Sequence, residues 1–520
     1  MKRIRFTALT LVILLLLTGI SSAQDTWGTV VVATTLEPDT MDAHRTSGGG
    51  LLRFIGATLI AKDPQTSAYV PYLAESWSTS EDGLTWEFKL RQGVKFHDGT
   101  DFTAQDYVYT FQRWFAEDTA SPSAATYSLI TSTEAVDDYT LQLNLAAPFY
   151  PLLELLTQGF AQPLSQEAVE TAGDTYGQQP ISVGPFRFVE WVVGDRMVLE
   201  RNPDYTWAPP FLHEGAPYID QLVLRFVPDY TTILAGMETG EIDTVLGTNL
   251  NGRDVPTAEA AGFNIFTTYG RGMAPYVLMN VSQPPFDDIL VRQAFNLAVD
   301  KEAIIGFMGG GAIPQHGPIS LSVAGYWPGV EDIGYHYDLE QARQLMQDAG
   351  YTYNDAGMLE KNGEPLAMKM LIIPDTAPFG QILQAMYTEL GVSLELEQSD
   401  LGVLFGRVVT GDYQIGVGFY DFPEADVMYT FYHSSGIGGF NISQVNDPTL
   451  DAILDRTRNE IDGDARQQAV NEAQQYIVEQ AFVVPLITLE EYLPVSSRVQ
   501  GAVISQDATL WLNDATIVEN

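Results

Sequence analysis

The stretch Asp412-Tyr-Gln-Ile-Gly-Val-Gly-Phe-Tyr-Asp-Phe-Pro-Glu-Ala-Asp426 alternates with a period of two. Tyr413, Ile415, Val417 and Phe419 fall on one side, and Gln414, Gly416, Gly418 and Tyr420 on the other. That spacing predicts a strand, with Asp421 at its tip and Pro423 ending the pairing. The glycines leave one face nearly bare, so a second backbone can come close there. A strand end with open backbone groups and a carboxylate suits an extended ligand that carries an amine. The same residues also read as a buried strand closing in a turn aspartate.

Upstream, Met368 to Ile373, a helix reaching about Leu390, and Val392 to Leu396 predict a βαβ unit leading into this strand. Downstream, helices are expected near 447–459 and 463–480, with strands at Val483–Thr488 and Arg498–Ile504. A second βαβ unit lies earlier: Leu222 to Val227, a helix over Thr231 to Thr239 ended by Gly240, then Ile242 to Leu246. Between the two units, Tyr276 to Asn280 predicts a strand and Asp287 the cap of a helix with Val291, Ala294, Phe295 and Ala298 inward. Asp338 caps another helix, which Gly350 ends. Nearer the start, Thr29 to Thr35 is a β-branched run, and residues 84–90 and 139–145 alternate as half-buried strands. Thr103 with Asp106 forms a variant capping box for a helix whose Tyr107, Phe111, Trp114 and Phe115 share one face. The pattern is two α/β blocks with an inserted segment.

Lys2, Arg3 and Arg5 precede an apolar run from Ala8 to Leu17, and Ser21-Ser22-Ala23 supplies the small residues of a signal-peptidase site. Cleavage is expected after Ala23, which leaves 497 of 520 residues and an exported, periplasmic or extracytoplasmic protein. Removing those three bases takes the formal charge from −41 to −44. Such a charge disfavours nucleic acid and anionic membranes as partners. There is no cysteine, which excludes disulfides, thiolate metal sites, a cysteine nucleophile and lipid attachment through an N-terminal cysteine.

No Gly-x-Ser-x-Gly, His-Glu-x-x-His or phosphate-loop motif occurs, and the glycine run at 309–311 lacks the lysine such a loop needs. The six histidines, at 44, 97, 213, 316, 336 and 433, have no metal-ligand spacing. Neither a metal nor a cofactor is expected. With 67 acidic residues, some carboxylate pair stands at a glycosidase separation, so a secreted carboxylate-dependent hydrolase stays open as a rival.

Several segments, in order along the chain, resemble one family. They are Leu73-Ala-Glu-Ser-Trp77, the run from Gly83 to Thr100, Phe102-Thr-Ala-Gln-Asp106, Val183-Gly-Pro-Phe186 and Leu199-Glu-Arg-Asn-Pro-Asp-Tyr205. Gly236-Met-Glu-Thr-Gly-Glu-Ile-Asp243, Asn280 with Pro285-Phe-Asp-Asp288, Val291-Arg-Gln-Ala294 and Ala298-Val-Asp300 complete the set. The chain is similar in these to the extracellular solute-binding proteins of ABC importers, in the oligopeptide, dipeptide and nickel class (family 5). The resemblance implies an α/β, two-lobed, periplasmic-binding-protein-like fold of the class II type with an inserted α+β domain. Lobe I would comprise residues 27–52, 180–270 and 485–520, its insertion 53–179, and lobe II 271–484.

It also implies a non-enzymatic, monomeric receptor that closes on a peptide or similar solute and delivers it to a permease with its ATPase subunits. In peptide-binding members an aspartate takes the ligand's α-amino group, and the matching position is Asp421. Gly418, Phe419 and Tyr420 would flank the ligand, with Thr35 and Glu37 on the opposing lobe. Dipeptide-binding members carry an arginine in the segment matching Pro374-Asp-Thr-Ala-Pro-Phe-Gly380, and none stands there. That departure disfavours a dipeptide and leaves longer peptides, oligosaccharides and, as a lesser option, nickel chelates.

Overall fold

Two mixed sheets carry the architecture, and the chain crosses from one to the other at 270–272 and returns at 486. The computed structural model describes residues 28–46, 49–247, 250–506 and 508–518; the leader expected over 1–23 lies outside them. In the first lobe, Thr29–Thr34 runs parallel to Gln221–Phe226 on one side and Thr244–Val245 on the other. The side chains of this central strand alternate between two cores. Val30 and Val32 join Leu222 and Leu224 on one face, and Ala33 joins Ile233, Met237 and Val245 on the other. Tyr230–Thr239 is the crossover helix. The Asp229 carboxylate accepts from Thr232 N at 2.8 Å to start it, and Gly240, at φ +76°, ends it in the left-handed region that glycine tolerates. The sheet extends outward through Ile487–Ser496 and Phe263–Tyr269 at one end and the hairpin Phe186–Val192 with Arg196–Arg201 at the other. Ala312–Pro314 also adds to Ile487–Ser496.

The insertion has its own antiparallel sheet, in the order Ala74–Thr79, Thr85–Leu90, Thr140–Leu145, Ile130–Asp137. Helix Ala104–Phe115 packs on it and opens with the expected Thr103–Asp106 capping box. Tyr107, Phe111 and Trp114 are buried, but Phe115 is exposed and only stacks beside Phe111. It sits about 80° round the helix from Tyr107, at the margin of the apolar stripe.

The second lobe is a five-stranded sheet ordered Ser393–Gln398, Ala367–Ile372, Ile415–Tyr420, Met273–Met279, Val483–Pro485. Its first three strands are parallel to one another. Cores cover both faces, with Val277, Met370, Ile415 and Val417 on one and Tyr276, Leu278 and Leu371 on the other. The quoted strand starts at Ile415 rather than Tyr413, because Tyr413 is drawn inward and its hydroxyl donates to Ile442 O at 2.5 Å. The helix Ile289–Leu297 is capped by Asp288 rather than Asp287, its carboxylate accepting from Leu290 N at 2.9 Å.

Topology fixes which edges of the lobes meet the crossings. Phe263–Tyr269 is antiparallel to Ile487–Ser496, which is antiparallel to Thr244–Val245, so it shares the direction of Thr29–Thr34. Its carboxyl end therefore lies at the carboxyl edge of the first sheet, and there the chain crosses through 270–272 into Met273–Met279. Met273 is paired with Tyr420, the last residue of Ile415–Tyr420. The carboxyl edges of both parallel sets thus face the crossing, which is where open α/β sheets take ligands. Among the described residues, no helix is long and apolar enough to cross a membrane.

Candidate ligand-binding site

Asp421 follows the strand directly and stands against the crossing segment. Gly272 adopts φ +77°, and a Cβ there would lie 2.0 Å from Tyr420 O and 2.5 Å from Phe422 N. Only glycine lets the crossing pass this close behind the strand end. Ser320 N donates to Gly272 O at 3.0 Å, and the hydroxyls of Ser320 and Ser322 donate to Gly270 O at 2.6 and 2.9 Å, fixing the segment from the far side. Arg271, between the two glycines, reaches back to Asp421. Its Nε donates to Oδ1 at 3.1 Å and its Nη2 to Oδ2 at 3.0 Å. The Asp421 side chain remains 66% exposed, so the carboxylate is open to solvent while already carrying a guanidinium.

The bare glycine face is filled by the lobe itself, as the buried-strand reading expects. A Cβ on Gly418 would meet Tyr276 Oη at 3.2 Å, and one on Gly416 would meet Leu371 O at 3.1 Å. The glycines make room for the lobe's own Tyr276 and Leu371. The strand's unshared backbone lies elsewhere. Its ladder to Ala367–Ile372 stops at Gly416, whereas its ladder to Met273–Met279 continues to Tyr420. Phe419 is exposed. Tyr420 is half-buried, its ring 4.9 Å from Phe431 and 5.8 Å from Phe440, and burial together with the Asp421 charge raises its hydroxyl pKa.

On the other lobe, Glu37 turns toward the 186–201 hairpin. It accepts from Trp191 Nε1 at 2.7 Å and Gly194 N at 3.0 Å. It lines a broad open recess with Asp39, His97, Arg187, Trp191 and Val193. Thr35, half-buried, stands two residues before it at the carboxyl end of Thr29–Thr34. Glu37 and Asp421 thus stand on different lobes, with separate partners.

Sequence reasoning passed over the two acids just after Asp421. Glu424 is fully buried, is bonded to Arg466, and accepts from Asp426 N at 2.5 Å. Loss of hydration pushes its pKa up, against the opposing pull of Arg466. Asp426 holds Arg458 in a fork of 2.5 and 2.7 Å. Both guanidiniums lie on rings of the insertion: Arg458 is 5.5 Å from the Phe149 centroid and Arg466 4.8 Å from that of Tyr150. Arg458 O also accepts from Tyr150 N at 3.0 Å. The insertion and the second lobe therefore touch at a point far along the chain from either crossing. The signal for it was the pair of arginines eight residues apart, each long enough to reach an acid of the quoted stretch.

Comparison with known proteins places this geometry in context. Residues 68–439 match the model for bacterial extracellular solute-binding proteins, family 5 middle. Heme-binding protein A of Haemophilus influenzae is 29% identical over 471 residues, covering 84% of this chain and 82% of that protein. The glutathione-binding protein GsiB of Escherichia coli is 30% identical over 381 residues, covering 71% and 68%. Among solved structures, HbpA2 from Haemophilus parasuis superposes with a TM-score of 0.84 at 24% identity, covering 95% of this chain and all of that one.

Proposed function

The chain belongs to the bacterial extracellular solute-binding proteins of family 5, and from that premise we propose that it captures a peptide between its lobes and delivers it to an ABC permease. The observation that carries the reading is Asp421, an exposed carboxylate at the end of a parallel strand, at the crossing between the lobes. A ligand ammonium on that carboxylate contributes roughly 1.5–3 kcal/mol. The strand's one-sided ladder beyond Gly416 supports main-chain pairing by an extended ligand, which tolerates varied side chains. GsiB, a relative named for glutathione, supports a small peptide as the solute.

Lobe I is assigned to 27–52, 180–270 and 485–520, the insertion to 53–179 and lobe II to 271–484; the cores of lobe II, which take in only Leu486 and Ile487 from outside it, support the division into two lobes, and the insertion shares its core with lobe I through Val183, Tyr205 and Trp207. The protein works as a monomer without catalysis, outside the cytoplasm, after cleavage at Ala23. Thr35 and Glu37 approach the solute from the first lobe when the lobes close.

The test is mass spectrometry of solute carried through native purification, followed by calorimetry with that solute. A peptide with a free amino terminus, bound without turnover and weakened at least tenfold by Asp421→Ala, is the expected result. An oligosaccharide, or hydrolysis of the bound solute, refutes the peptide receptor.

A further inference from the structure

Exposed apolar side chains gather on the two edges that face the crossing. In the second lobe, Phe419 (52% exposed), Phe440 (42%) and Phe405 (40%) lie around the end of Ile415–Tyr420. The rings of Phe405 and Phe440 are 5.5 Å apart, and Phe440 is 5.8 Å from Tyr420, the neighbour of Asp421. Phe405, Phe440 and Tyr420 therefore form one run of rings that ends at the residue preceding Asp421, while Phe419 lies on the opposite face of the strand. Phe405 sits on helix Leu401–Thr410, which follows the carboxyl end of Ser393–Gln398 at the same edge. In the first lobe, Leu36 (72%) follows the carboxyl end of Thr29–Thr34, and Val193 (82%) tips the hairpin that Glu37 ties to the same segment.

A chain with a formal charge of −41 has ample polar residues for these positions. Contiguous apolar surface left in water marks a place that something apolar covers. Here it adjoins an exposed carboxylate, at the edge where such sheets bind solutes.

We infer that the solute is amphipathic: an amine for Asp421 joined to a bulky apolar body that lies across Phe405 and Phe440. The inference rests on the cleft reading above and narrows it from peptides at large to peptides rich in aromatic and branched aliphatic side chains. Covering two half-exposed phenyl rings accounts for about a tenfold or greater preference over a polar peptide of equal length.

Calorimetry with two tetrapeptides, both with free amino termini, tests this directly. One carries Phe and Leu and the other Ser and Gly. The wild type is expected to bind the apolar peptide at least tenfold more tightly, and Phe405→Ser with Phe440→Ser to bring the ratio close to one. Both positions are exposed, and a thermal melt checks that the variant is folded. Equal affinities in the wild type, or an unchanged ratio in the variant, overturn the inference and leave the peptide reading standing. If neither peptide binds, the peptide reading falls, and the solute recovered by mass spectrometry decides the inference: a wholly polar solute overturns it, and one with an apolar body supports it. Concentration-dependent dimerisation that the double variant abolishes would assign the rings to self-association and overturn the inference too.

Discussion

Arg271 and Asp421 form a two-pronged ion pair across the crossing between the lobes, Nε to Oδ1 at 3.1 Å and Nη2 to Oδ2 at 3.0 Å. A guanidinium from the protein thus lies where the proposed ligand ammonium is to sit. With side chains 29% and 66% exposed, the pair is partly screened and holds the carboxylate only modestly, at roughly 0.2–1 kcal/mol.

Arg271→Gln removes this internal competitor and leaves a residue that still hydrogen-bonds. The variant is expected to bind an amine-bearing peptide up to about fivefold more tightly, the factor that 1 kcal/mol supplies. Calorimetry checks it. A loss of affinity instead would mean that Arg271 itself contacts the solute.

Gly272→Ala addresses the same crossing through the backbone. The new methyl would lie 2.0 Å from Tyr420 O, and φ of +77° is itself strained for alanine. A destabilisation of about 2 kcal/mol or more is expected in urea unfolding, with weakened peptide binding because the strand end that carries Asp421 must shift. Wild-type stability would show that the crossing is not held this closely.

Arg458 holds the insertion to the second lobe. Arg458→Met leaves Asp426 buried without its counter-charge and strips the cation from the Phe149 ring. Breaking a buried pair in this way costs about 3–5 kcal/mol. The expected result is a lower unfolding midpoint together with a larger radius of gyration in small-angle scattering. A lower midpoint with unchanged dimensions would confine the pair to stability within its lobe.

Much of this architecture was legible because hydrophobic period and end signals agree. The helix over 230–239 announced its end through Gly240, and Thr103–Asp106 announced the start of another. The quoted strand was readable from its alternation, yet the role of its glycines was not. Whether Gly418 opens a face or admits Tyr276 depends on a strand 142 residues away, which local pattern does not contain. The same holds for Asp421: its position beside the crossing follows from topology, and its pairing with Arg271 from a separation of 150 residues. Glu37 is expected on the ligand side of the opposing lobe, and the donors it bonds come from the distant hairpin at 186–201, which local pattern does not contain.

Lys301 gives a pH signature outside the site. Its ammonium is buried, donating to Gln315 O at 2.6 Å and Tyr335 O at 3.3 Å, beside His316 and with Glu331 nearby. Desolvation lowers its pKa from 10.5 to about 7, only partly offset by Glu331. Burial and the Lys301 charge likewise lower His316 to about 4, so the imidazole is neutral across this window. Between pH 7 and 10.5 the unfolded chain holds a proton that the folded chain has released. Stability from this group is therefore fully present above 10.5 and is lost as pH falls toward 7, at about 1.4 kcal/mol per pH unit. Lys301→Met has no proton to lose, so its stability should change less across that range. Urea unfolding of both proteins from pH 7 to 10 gives a difference curve that isolates the lysine from the tyrosines, which titrate alike in each. A flat difference curve would show that Lys301 keeps its proton in the fold.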